Sequence, residues 1–234
     1  MISTFKFNGF SEETVKFLKG LKTNNSKPWF AAHRKIYEQH LLTPAMTFVA
    51  EMGQNLEQIS PNIVAVPKID QSIFRIYRDV RFSSDKSPYK THFAMLFWEG
   101  ERKKIENPSF YMHFDSEVVF LGAGIYGFPR DMIRPYREAV VHPLHGKTLR
   151  DAIDRVQKNP ENILGWKYYK KIPVGFEADH PNADLLLYNG LGFQWETPLP
   201  DEFIQINLSI SYTANLKKWP PYITGWLIWP AGFN

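Results

Sequence analysis

The chain contains no cysteine. That excludes disulfides, thiolate catalysis and Cys-ligated zinc or iron–sulfur sites, and it fits a reducing cytoplasm. No apolar run approaches the ~18 residues that mark a membrane-spanning helix. The opening MISTFKFNGF has neither the apolar core nor the cleavage pattern of a signal peptide. Neither G-x-S-x-G, nor a P-loop, nor H-E-x-x-H occurs. Internal repeats, low-complexity segments and linkers are also missing, so the expectation is one domain over residues 1–234. Charge is sparse in the net, at +4. That permits nucleic-acid binding without arguing for it.

What is abundant is aromatic, at 15% of 234 residues, enough chain for a sizeable core. Ser11 reads as an N-cap, with Glu12 and Glu13 in the first turn of a helix that stops near Asn24-Asn25. A second helix starts at Lys27-Pro28. Pro44 is expected to break or kink the run, with a third helix through Phe48, Met52 and Leu56 to Pro61. Thr91–Trp98 is apolar on both faces apart from His92, which reads as a central strand. Ser109–Asp115 alternates, Phe110, Met112 and Phe114 against Tyr111, His113 and Asp115, and Glu117–Leu121 follows after a short turn. Short links between strands argue for an antiparallel meander. Helices return at Arg130–Val140 and Leu149–Lys158, and residues 160–200 read as irregular. The stretch from Pro200-Asp201 through Phe203, Ile206, Ile210 and Ala214 reads as a helix, and Trp219–Trp229 as an apolar packing segment. The fold class expected is α+β, a mostly antiparallel sheet packed by N-terminal and C-terminal helices.

Ser72 to Lys90, SIFRIYRDVRFSSDKSPYK, carries the chemistry. Its first half alternates like a half-buried strand, Phe74, Ile76, Arg78, Val80 and Phe82 on one face and Arg75, Tyr77, Asp79 and Arg81 on the other. Arg78, among apolar neighbours, must be paired or reach the rim. Five basic against two acidic residues leave this stretch at +3, nearly all of the chain's net charge. Arg75, Arg78 and Arg81 are the candidate anion-gripping guanidiniums, with Lys86 and Lys90 at the rim. Asp79 and Asp85 are candidate orienting carboxylates, and Tyr77 and Tyr89 candidate pocket walls. Should strand 109–115 lie near strand 72–82 with polar faces matched, Tyr111, His113, Arg75, Tyr77 and Arg81 share one surface. His113 is then a candidate neutral general base.

Gly122-Ala-Gly124-Ile-Tyr-Gly127 has the form of a dinucleotide fingerprint. The preceding strands look antiparallel and no acidic ribose partner follows about 20 residues on. The better reading is glycines at the end of a strand where another backbone comes close. His142-Pro-Leu-His145 has too few neighbouring carboxylates to make a metal site, Asp179-His180 with Asp184 reads as a loop cluster of satisfied or exposed side chains, and no metal or cofactor is expected. Trp166-Lys167-Tyr168-Tyr169-Lys170-Lys171 interleaves rings and cations, a pattern that could stack bases.

Asn24-Asn25 through Trp29-Phe30, His33-Arg34 and Tyr37, then FRIYRDVRFSSDKSPYK, GAGIYGFP and PVGFEADHP, resemble the DUF2461 family over roughly Gly9 to Trp226. The arginine stretch is the most specific part. The resemblance implies a single α+β domain in a bacterial-type cytoplasm and assigns no role to any residue. After Pro198 the chain is more aromatic and Pro-rich than the family pattern. The function expected is binding of a small phosphorylated or carboxylated anion, with enzymatic turnover left open. The alternatives are a nucleic-acid-binding domain, or a structural or interaction module whose arginines pair internally. No membrane partner is expected.

Overall fold

The computed structural model describes residues 6–165, 167–200 and 203. Helix α1 (Glu12–Thr23) starts at Ser11 and ends at Asn24, and α2 (Lys27–Ala32) has Pro28 in its first turn and Ser26 accepting the Trp29 N–H. Asn24 and Asn25 therefore sit in the connection, as read from the sequence.

Pro44 does not break the next run. The helix continues from α3 (Arg34–Ile36) through a π-helical turn, Tyr37–Leu42, into α4 (Thr43–Leu56). The wide turn lets the Thr43 N–H reach Glu38 O, five residues back. Pro44 has no N–H to give His40 O, its partner in an ordinary helix. The buried Thr14 hydroxyl of α1 donates to that carbonyl at 2.5 Å. The helix stops at Leu56, short of Pro61.

Five strands form an antiparallel sheet in the order β1-β2-β3-β5-β4: β1 (Phe93–Trp98), β2 (Ser109–Phe114), β3 (Val118–Ile125), β4 (Ile163–Leu164) and β5 (Leu191–Pro198). The α+β class and the β1-β2-β3 meander match the sequence reading. Residues 160–200 are less irregular than expected, because they supply β4 and β5, which pair antiparallel.

Two expectations about the arginine stretch need correction. First, 72–82 is not a regular strand. It makes isolated bridges, Ile73 with Ile69 and Met95 and Tyr77 with Tyr89. Asp79 and Asp85 turn their carboxylates onto the Arg81 and Ser87 N–H groups at 3.2 and 2.8 Å, and such local acceptors compete with a ladder. Second, β1 is last in the strand order rather than central. All six of its residues are nevertheless buried. Its open edge is met by the arginine stretch, through Phe74 N–H to Ala94 O (3.0 Å) and Leu96 N–H to Ser72 O (2.8 Å).

The chain divides into two compact units. The described residues of the first are 6–97, 111–121, 196–200 and 203. Its core is aromatic: Phe10 touches Phe7, Phe48 and Phe114 and stacks on Phe203 at 4.9 Å. Apart from Phe203, the helix read after Pro200-Asp201 lies outside the described residues, as does Trp219–Trp229.

The second unit comprises 98–110, 122–165 and 167–195 among the described residues. Helices α5 (Arg130–Val141) and α6 (Pro143–Gln157) pack on Leu185, Leu186, Tyr188 and Phe193. Helix α6 begins six residues earlier than expected, because His142 is its cap. The ring Nδ1 accepts from the Leu144 and His145 N–H groups. Strand β3 ends at Ile125, one residue after Gly124, and the close approach read from the sequence is there. A Cβ on Gly124 would sit 2.3 Å from the Cα of Gly192. No helix among the described residues is long and apolar enough to cross a membrane.

Candidate functional site

The loop after Arg78 is tied to itself. The Arg78 N–H bonds Pro88 O at 2.9 Å, and its guanidinium is ion-paired with Asp85 and reaches Ser83. Donation from Ser87, then from Arg78, holds the Asp85 carboxyl far below the usual carboxylate range. Lys86 donates to Val80 O at 2.9 Å. Arg81 grips Asp79 with two bonds, 2.9 and 2.6 Å, and so lowers the Asp79 pKa. That pair is exposed, with 74% and 43% of the two side chains in solvent, so an incoming anion can displace it at little cost. Arg75 is exposed and makes no ion pair with any described residue.

The requirement that Arg78 be paired or reach the rim is met by Asp85. The matched-face surface is not what forms. The ring of Phe74, not Tyr77, meets Tyr111, at 6.1 Å. Tyr77 packs on Phe30 and Tyr89, and Tyr89 stacks on Phe30 at 4.2 Å. Tyr89 is buried, and its backbone is bonded twice by the Asn25 side-chain amide. It is a fold anchor more than a pocket wall. The face turned to this strand is that of Phe74, which meets Tyr111, and of Arg78, whose charge acts on His92, rather than that of Arg75, Tyr77 and Arg81.

What gathers there is a patch of half-buried rings: Phe74, His92, Tyr111, His113 and Phe120. His113 lies flat on Phe120 (4.7 Å, 7°) and 4.8 Å from His92. Its Nδ1 is 3.1 Å from the Tyr111 hydroxyl. Alternate residues of the same strands, Phe110, Met112, Phe114, Val119 and Leu121, are buried, so the patch is the opposite face of the meander. The Lys90 ammonium lies 5.4 Å over Phe74. Burial, then the neighbouring His113, then Lys90, push the His92 pKa down to about 4, with Arg78 adding to the same effect and Asp115 opposing it. Burial also lowers that of His113. Both imidazoles are therefore neutral at pH 7, each offering one donor and one acceptor. Asp115 is occupied by the turn after β2, accepting from the Glu117 and Val118 N–H groups.

His92 and Phe120 were missed in the sequence as site residues. The available signal was His92 itself, a lone polar residue in an otherwise apolar strand. Elsewhere, His180 Nδ1 accepts the Asn182 N–H and Asp184 is ion-paired with Arg150. Among the described residues no group of three His, Asp or Glu is arranged to hold a metal ion.

The family described as "Conserved hypothetical protein (DUF2461)" matches residues 13–218. No curated protein matches the chain.

Proposed function

Since the chain belongs to the DUF2461 family, whose description names no activity, we propose from the geometry that it is a cytoplasmic protein that binds a small carboxylated or phosphorylated ligand on the ring patch. Lys90 and Arg78 supply the positive charge, and Arg75, Arg81 and Lys86 stand further out on the same basic loop. The observation that carries this reading is the half-exposed pair of imidazoles, His92 and His113, 4.8 Å apart and bordered by Lys90 and Arg78. A face with two cations, a phenol and two uncharged imidazoles can neutralise an anion and hydrogen-bond its acceptors. If the ligand is turned over, His113 is the general base, because a neutral imidazole fixed by Tyr111 is ready to take a proton.

A structural role for the arginines is the second reading, favoured by the Arg78–Asp85 and Arg81–Asp79 pairs. Thermal melting with inorganic phosphate, citrate and a nucleoside monophosphate separates the two. A ligand at 100 times its Kd adds about 2.7 kcal/mol, a rise of roughly 5–10 °C for a chain of this size. At least one of these anions is expected to raise the Tm, and Lys90→Gln to abolish the rise. No shift with any of them, or the same shift in Lys90→Gln, contradicts the reading.

A further inference from the structure

Arg137 of the second unit is a cation with no carboxylate partner among the described residues. Arg137 projects from α5, between Arg134 and Glu138, which pair with each other at 2.8 Å. The Arg137 guanidinium carbon lies 4.7 Å from the centroid of the Tyr169 ring. Its Nε is buried and has no hydrogen-bond partner among the described residues. No carboxylate among the described residues pairs with it. Arg137 as a whole is partly buried, and a guanidinium with part of its donor set out of water ordinarily has a partner, because an unmet buried donor is costly. A tyrosine face returns only part of that cost.

The ring beneath it is fixed. The Tyr169 hydroxyl donates to Asn189 at 3.1 Å, and the Tyr168 and Tyr169 N–H groups both bond Leu187 O at 2.9 Å. On either side of Tyr169 in the chain stand Lys167, Lys170 and Lys171, all exposed, and no acidic residue occurs from Asn162 to Phe176. An arginine held over a pinned ring, with three exposed lysines next to that ring in the chain, suits a multiply charged, multi-acceptor group better than a single carboxylate.

We propose that Arg137, with Lys170 and Lys171, forms a second anion site that takes a phosphate group, independent of the ring patch around His92 and His113. The guanidinium N–H groups beyond the buried Nε bind the phosphate oxygens, and the lysines neutralise the remaining charge. The group can come from a free phosphorylated molecule or from the backbone of a single strand.

The test uses the full chain, with calorimetric titration of inorganic phosphate and fluorescence anisotropy of a labelled twelve-nucleotide oligo(dT). Binding of at least one probe is expected to persist in the Lys90→Gln chain, where the ring patch has lost its cation, and to be weakened tenfold or more when Arg137→Gln is added to it. The double variant Lys170→Gln/Lys171→Gln gives the same loss should Arg137→Gln fail to fold. Both sources support the site. Comparable affinity for the two probes identifies a small phosphorylated ligand. Much tighter oligonucleotide binding that weakens steeply with salt identifies a strand backbone. Absence of binding by either probe overturns the proposal. So does retention of full affinity in both the Arg137→Gln and the lysine variants of that chain, or loss of all binding by both probes in Lys90→Gln alone, which would assign the binding to the ring patch.

Discussion

Asn25 stands in for a missing strand. Its amide donates to Tyr89 O at 2.9 Å and accepts the Tyr89 N–H at 3.1 Å, so one side chain satisfies both backbone groups of a buried residue. Asn25→Ala leaves them unpaired and is expected to cost about 1–3 kcal/mol in denaturant melts. Thr14 plays the matching part in the helices, and Thr14→Val strands His40 O at a comparable cost of about 1–3 kcal/mol. Wild-type stability in either variant would show that water takes over these bonds. His92 gives a pH signature. Its folded pKa is about 4 against an ordinary 6.5, so the unfolded chain takes up the proton first. Its contribution is complete above pH 6.5 and is lost as the pH falls towards 4. The groups acting on it are His113, Lys90, Asp115 and Arg78. Burial lowers His113 too, so its contribution is likewise lost as the pH falls below 6.5, whereas Asp79 and Asp85 lose theirs only as the pH falls below 3.8 or so. His92→Gln is therefore expected to flatten, without abolishing, the stability slope between pH 6.5 and 4. An unchanged slope would mean that the ring is not desolvated.

At the scale of elements, the pairing of β3 with β5 is set by two glycines. Gly124 has φ +142°, and any Cβ there would meet Gly192 Cα and Leu191 O at 2.3 Å. Gly124→Ala is expected to cost about 2 kcal/mol or more, roughly 4–8 °C in Tm. A drop under one degree would mean that β5 is easily displaced. The glycines were legible as a close approach, but the partner strand was not. Leu191 to Pro198 mixes Gly192, Gln194 and Glu196 with rings, and its burial follows no strict alternation. Helices α1 and α2 and the meander were legible because caps, Pro28 and the period-two pattern all agreed. Helix α6 was placed late because its cap is a histidine, which sequence reading takes first for a ligand. In the arginine stretch the alternation was genuine, with Ile76 buried between exposed Arg75 and Tyr77. The strand was not, because Asp79 and Asp85 supply local acceptors that end the ladder early.

For the molecule as a whole, the proposed function rests on the outward side of the meander. One side is core. The other carries rings, two neutral imidazoles and the basic loop. That arrangement was half visible in the sequence, through His113 and the arginines. Reading 72–82 as a regular strand matched the wrong face to it, and no pattern in the chain revealed that Phe74 rather than Tyr77 meets Tyr111. The most direct test observes the imidazoles themselves, by NMR of the histidine ring nitrogens during titration with phosphate and citrate. The account predicts that the His92 and His113 signals shift and saturate together with one of these anions while His33 and His40 stay still, and that Lys90→Gln removes the effect. Unmoved His92 and His113 signals at saturating anion would contradict it.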